Sequence, residues 1–133
     1  MRKLVTMTAV LLMIGATGLT AGGCLYAAAA AAGAGAYAYV QGESRANVEG
    51  SVREVARAAE AAVESLDMFL VSSEADDLRA EVRAETRGGK DVRIRIERLT
   101  DSSSELRIRV GAFGDKDIGR AVYDRIVERL ERR

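Results

Sequence analysis

Three features of this 133-residue chain carry chemically useful side chains: a single cysteine, arginines at alternating positions, and a glycine-rich turn near the carboxyl end. The chain has no histidine, so it offers no imidazole base, no Ser/His/Asp triad and no histidine metal site. One cysteine forms neither an internal disulfide nor a CxxC motif. No carboxylate cluster stands apart from the general charge pattern. We therefore expect no catalytic residues, no metal ligands and no cofactor, and hence not an enzyme.

Cys24 ends the leader "MRKLVTMTAVLLMIGATGLTAGGC". Two basic residues come first, then a charge-free apolar run, then small residues, which is the order of a secretory signal. The residues before the cysteine resemble a bacterial lipobox, in which the cysteine is lipidated and becomes the new amino terminus. We expect a signal peptide over 1–23 and a lipidated Cys24. Two alternatives stay open: cleavage within 27–32, and an uncleaved membrane helix.

A lipidated cysteine would make the membrane the first partner of the chain. One acyl chain binds a bilayer only marginally, whereas two or more hold a protein there stably. Leu25 follows the cysteine, where an aspartate marks many inner-membrane lipoproteins, so this resemblance favours the periplasmic side of the outer membrane. The Ala/Gly-rich residues 24–35 are expected to be a tether. The alternative is a helix that packs in lipid through small residues four positions apart, at Ala27, Ala31 and Gly35.

The charge balance argues against nucleic acid as a partner. Twenty basic residues face twenty acidic ones, and two of the basic residues, Arg2 and Lys3, lie in the predicted leader. The remainder is slightly acidic, whereas a general nucleic-acid binder carries a marked basic excess. An envelope protein or an anionic surface remains a candidate partner.

Apolar periodicity predicts the folded part of the chain over 36–133. "YAYVQGE" alternates like a strand, and from Asn47 to Leu66 apolar residues recur every three or four positions, which indicates an amphipathic helix. "MFLVSS", "LRAEVRAET", "VRIRIERL" and "LRIRV" read as further strands, with Leu78 on the apolar side of the second and Gly88 and Gly89 in a tight hairpin. The apolar stripe of the last helix contains Ile118, Val122, Ile126 and Leu130.

This order predicts an α+β fold. We expect a two-layer sandwich whose antiparallel sheet of four to five strands carries two helices on one face, in the order β-α-β-β-β-β-α.

The sheet face opposite the helices is the candidate binding surface. It would carry seven arginines, Arg79, Arg83, Arg87, Arg93, Arg95, Arg107 and Arg109, against Glu81, Glu85 and Glu97. Arginine forks suit phosphate and carboxylate groups, such as those of lipid headgroups or cell-wall polymers. The candidate anion-binding residues are Arg83, Arg93, Arg95, Arg107 and Arg109. The competing interpretation, which we favour, is a solvated face with arginine and glutamate paired across strands.

The turn "GAFGDKD" opens the last helix. Its glycines permit a sharp reversal, and Asp115 or Asp117 can cap the exposed amides. An anion nest at this helix end is the alternative, but the glycine spacing matches neither a Walker loop nor a dinucleotide-binding fingerprint, so we expect simple capping.

Several stretches together resemble a known family. "GAGAYAYVQGE", the alanine-rich first helix, "GGKDVRIRIERL" and "LRIRVGAFGDKD" followed by "AVYDRIVERL" look like the bacterial lipoproteins grouped as domain of unknown function 3568. The resemblance implies an envelope location and this fold, without an assigned activity. At Gly119 that family leads us to expect a serine. The expected function is a non-catalytic envelope lipoprotein that acts by anchoring and surface contacts, and the alternative is a binding module that uses the arginine face.

Overall fold

The computed structural model describes residues 37–132. The chain divides into two units, Met1–Gly33 and Ala34–Arg133, and the described residues belong to the second. The predicted signal peptide, Cys24 and the tether over 24–35 lie outside the described residues. Among the residues described, no helix is long and apolar enough to cross a membrane.

Six strands and two helices make up the described domain. In chain order they are β1 (Ala38–Val40), β2 (Glu43–Glu49), α1 (Val52–Ser65), β3 (Phe69–Ala75), β4 (Arg79–Glu85), β5 (Asp91–Thr100), β6 (Ser103–Val110) and α2 (Lys116–Glu131). The strands form one antiparallel sheet in the spatial order β1-β2-β6-β5-β4-β3. Helix α1 carries the chain from β2 to the far edge of the sheet, and the β3-to-β6 meander leads back. The predicted α+β class is confirmed.

The amino-terminal segment differs from its prediction because it folds into a hairpin. Gln41 and Gly42 both have positive φ, 51° and 81°, and turn the chain between β1 and β2. The sheet therefore has six strands rather than four to five. The predicted helix starts too early: Asn47 and Val48 lie in β2, and α1 begins only at Val52. Val48 is buried as predicted, but from a strand.

The core lies between the two helices and one face of the sheet. Val92, Ile94 and Ile96 of β5 are fully buried, and β4 and β6 contribute their alternate apolar residues to the same layer. Ala59 and Ala62 of α1 are also fully buried, so this helix packs closely on the sheet. The charged residues between the apolar positions must then point to the opposite side, because strand side chains alternate. We call that side the open face.

Leu78 differs from its prediction, whereas Gly88 and Gly89 lie in the turn between β4 and β5 as predicted. Leu78, expected on the apolar side of its strand, precedes β4 and is 65% exposed. In the β4–β5 turn only Gly89 has positive φ, at 79°, whereas Gly88 does not require a glycine conformation. Neither difference alters the strand register.

Candidate anion-binding face

Strands β4, β5 and β6 place the predicted arginines on the open face. Over Ala80–Ala84, Val92–Ile96 and Leu106–Val110, valine, isoleucine, leucine or alanine occupies the core side, so the residues between them lie on the open face. All five candidate residues belong to this set: Arg83 on β4, Arg93 and Arg95 on β5, and Arg107 and Arg109 on β6.

The strand register aligns these arginines in two rows that run across the sheet. Arg83 is directly opposite Arg93, which is directly opposite Arg109. We call these three the first arginine row. Two residues further along β5, Arg95 is opposite Arg107, which is opposite Arg45 of β2. These three form the second arginine row.

Like charges directly opposite each other destabilise a sheet, so both rows need compensating carboxylates. The open face supplies more acids than the three predicted glutamates, because the strand register also places on it Glu43, Glu49, Glu74, Asp91 and Glu105. The expected excess of seven positive charges over three negative ones is therefore wrong for the whole face. What matters is how the carboxylates are distributed between the rows.

Each arginine of the second row has a carboxylate partner. Arg107 donates from Nη2 to Glu105 at 2.6 Å, and this hydrogen bond raises the pKa of Arg107 above its ordinary value. Arg45 Nε donates to Glu43 at 3.0 Å. Arg95 lies 3.7 Å from Glu81. The second row is thus largely neutralised by residues of the sheet itself.

The first row is poorly compensated. Asp91 is shared between Arg83, at 3.5 Å, and Arg93, at 3.9 Å, and Glu81 lies 3.9 Å from Arg93. Arg109 donates to the carbonyl of Ala112 at 3.0 Å. Within residues 37–132, no carboxylate accepts a hydrogen bond from any of its three guanidinium groups. The buried Nε atoms of Arg83 and Arg93 have no hydrogen-bond acceptor among the described residues.

Two predicted members of the face lie outside the rows. Arg79 begins β4, has an 81% exposed side chain and lies 3.8 Å from Asp76. Arg87 lies in the turn after β4, 3.5 Å from Asp67, so its assignment to the strand face is wrong. Arg45 was missed because "ESRANVE" was not recognised as a strand, although its alternation of Ser44, Ala46 and Val48 carries that signal.

A shallow concavity of about 710 Å³ lies beside the rows, toward β3. Its charged lining is mixed, with Arg79, Arg83 and Arg95 among four carboxylates, so it has no net attraction for anions. Only Arg83 is shared with the first row. In the part of the chain that the structure describes, no group of three acidic or cysteine side chains is arranged to hold a metal ion.

The side chain of Asp115 caps the amino terminus of α2. Its carboxylate accepts a hydrogen bond from the Ile118 amide at 3.1 Å and forms an ion pair with Lys90 at 2.7 Å. The contact with Lys90 and the hydrogen bond from the Ile118 amide hold the pKa of the Asp115 carboxyl below its ordinary value. Capping therefore explains this turn, as predicted. On the same loop the ring of Phe113 is 96% exposed.

Comparison with known proteins bears on the whole chain rather than on this face. No curated protein matches it. The family described as "Protein of unknown function (DUF3568)" matches residues 5–129, which include Cys24 and both arginine rows. The match covers almost the entire sequence and agrees with the resemblance seen in its motifs. The chain therefore belongs to the DUF3568 family.

Proposed function

We propose that this chain is a bacterial envelope lipoprotein. Cys24 carries the lipid, and the α+β domain acts at the membrane surface through contacts with other molecules rather than by catalysis. The single observation that supports this proposal is the order of the leader: a basic start, an apolar run and small residues that end at the only cysteine.

The spacing between the cysteine and the domain fits an anchor. Twelve residues separate Cys24 from Tyr37, where the described domain begins. Fully extended, they would span about 40 Å, so an anchored domain would stay within that distance of the bilayer. With Leu25 after the cysteine, we place the protein on the periplasmic side of the outer membrane.

Fatty-acid labelling tests the lipid. The full chain is expressed in a bacterial host that is fed an alkyne-bearing palmitate analogue, next to Cys24→Ala and the leader control Thr20→Ala. We expect label on the wild type and on Thr20→Ala, and none on Cys24→Ala. Equal labelling of all three chains, or of none, would reject the anchor. Density separation of the two membranes then tests the outer-membrane assignment.

A binding module is the second candidate function. The observation that favours it is the direct apposition of three arginines across β4, β5 and β6, since a sheet that needed only solubility would gain stability from alternating the two charges. Under this candidate, the open face binds an anionic group at the envelope. Simultaneous Arg95→Glu and Arg109→Glu should abolish binding to anionic lipid headgroups while the fold survives, and unchanged binding would eliminate the candidate.

A further inference from the structure

The two arginine rows differ in one respect that points to a ligand. In the second row Arg45 and Arg107 donate hydrogen bonds to carboxylates. In the first row no guanidinium group does so among the described residues: Asp91 and Glu81 lie 3.5–3.9 Å from Arg83 and Arg93, and Arg109 has no carboxylate within ion-pair distance. We propose that the first arginine row, Arg83, Arg93 and Arg109, is a phosphate-binding site. This inference goes beyond the proposed anchoring and does not depend on it.

The donors of the first row are available to a ligand. The side chains of Arg83 and Arg93 are 41% and 36% exposed, so solvent reaches their guanidinium groups. Their Nε atoms are buried without an acceptor in the described residues, so each of these guanidinium groups has a donor that the sheet does not satisfy. Arg109 uses one Nη atom for the Ala112 carbonyl and keeps its other donors.

In the described part of the chain, the carboxylates nearest to the first arginine row do not accept hydrogen bonds from its guanidinium groups. Glu43 is opposite Arg109 and almost buried, but its carboxylate accepts the hydrogen bond of Arg45 in the second row. Asp91 is the first residue of β5, and its distances to Arg83 and Arg93 exceed those of a strong charge-assisted hydrogen bond, as does the 3.9 Å between Glu81 and Arg93. An incoming anion therefore competes with two carboxylates that accept no hydrogen bond from the row among the described residues.

The spacing of the row favours phosphate over carboxylate. Neighbouring strands lie about 4.8 Å apart, so successive guanidinium groups stand side by side along the row. A carboxylate is planar and satisfies one fork, whereas a phosphate presents several oxygens in a tetrahedron and accepts hydrogen bonds from two or three forks at once. The shared chemistry is a phosphate group, either free or on a lipid headgroup.

Titration with inorganic phosphate tests the site in the full chain, held in micelles of a neutral detergent. The arginine Nε–H resonances report binding residue by residue. Arg93→Gln removes the centre of the first row. Arg107→Gln is the matched control, because it removes the same charge from the second row and its partners Glu97 and Glu105 do not pair with the first row. Far-UV circular dichroism checks the fold of both variants.

We expect saturable shifts of the first-row resonances, an affinity about tenfold lower in Arg93→Gln, and a change of less than about twofold in Arg107→Gln. Arg93→Lys is the fallback if the glutamine variant does not fold: it keeps the charge but loses the planar fork, so it should also weaken binding. Absence of saturable binding would overturn the proposal. Equal weakening in Arg93→Gln and Arg107→Gln would also overturn it, since it would indicate diffuse attraction.

Mixed micelles distinguish the source of the phosphate. Micelles that contain phosphatidylglycerol are compared with micelles that contain diacylglycerol, which lacks the phosphate. First-row shifts that appear only with phosphatidylglycerol and compete with inorganic phosphate identify a lipid headgroup. In that case Phe113→Ser should weaken the micelle interaction and leave inorganic phosphate binding unchanged, because this exposed ring follows the residue that Arg109 holds. Shifts with inorganic phosphate alone identify free phosphate.

Discussion

The presence of glycine at position 119 is explained by a close contact with a residue of another element. A Cβ atom added at Gly119 would lie 2.8 Å from the hydroxyl of Ser44 on β2. That hydroxyl makes a 2.6 Å hydrogen bond with the phenol of Tyr37. The family resemblance led us to expect a serine at 119, and in this chain Ser44 brings a hydroxyl to the same place from the strand. Glycine in the first turn of α2 is therefore a packing requirement.

The effect of Gly119→Ala on the free energy of unfolding should be opposite in sign in the wild type and in a Ser44→Ala background. In the wild type it should lower the free energy of unfolding by about 1–2 kcal/mol, because the new methyl group displaces Ser44 from Tyr37. In a Ser44→Ala background the hydroxyl is gone, and the same change should stabilise the protein by about 1 kcal/mol through helix propensity. Urea unfolding of the four proteins measures the cycle. Additive effects would contradict the contact.

The ion pair between Lys90 and Asp115 should make the stability of the domain depend on pH in the acid range. The pKa of Asp115 is lowered in the folded protein, first by Lys90, so its contribution to stability is present above the ordinary aspartate pKa near 3.8 and is lost as the pH falls below that value. Lys90→Met should therefore reduce the loss of stability between pH 5 and about pH 2.5. Urea midpoints across this range provide the measurement. An identical pH profile in the variant would show that the ion pair contributes nothing.

At the scale of elements, strands with strict alternation were predictable and short turns were not. Over Arg79–Glu85, Asp91–Glu97 and Glu105–Val110 each apolar residue alternates with a charged one, so the facing of these residues follows from the sequence. The β1–β2 hairpin was missed because the strand after its turn, Glu43–Glu49, contains only two apolar residues, Ala46 and Val48. Its stability comes from tertiary contact: the Gly42 backbone packs against the loop that contains Gly114, where no side chain fits.

Gly114→Ala tests this contact between the hairpin and the α2 loop. A Cβ there would lie 2.4 Å from the Gly42 carbonyl oxygen, and φ is +86°. We expect a loss of about 2–5 kcal/mol, together with faster amide exchange in β1.

The matched control for that contact is Gly111→Ala. Gly111 also has a positive φ, +68°, but no atom lies within 4 Å of its added Cβ. It should cost about 1–2 kcal/mol, from backbone strain alone, and leave β1 exchange unchanged. Equal effects of the two substitutions would mean that the hairpin does not depend on close packing.

For the whole molecule, alternation predicted which charged residues of β4, β5 and β6 face solvent but not which of them meet. That Arg83, Arg93 and Arg109 share a row depends on turn lengths and on the β4–β5 and β5–β6 registers, including the shift near the end of β5, which no local pattern reveals. The uneven distribution of carboxylates between the rows also required the register, since Glu43 and Glu105 come from strands that are distant in sequence. The leader, in contrast, is predicted from a local pattern alone and stays a prediction.

The intact mass of the chain tests the central claim most directly. The protein is extracted in detergent from a bacterial host, beside Cys24→Ala. We predict a mass that begins at Cys24 and includes added acyl chains, and the loss of both features in the variant. A chain that begins within 27–32, or that retains Met1 without acyl mass, would contradict lipid anchoring through Cys24.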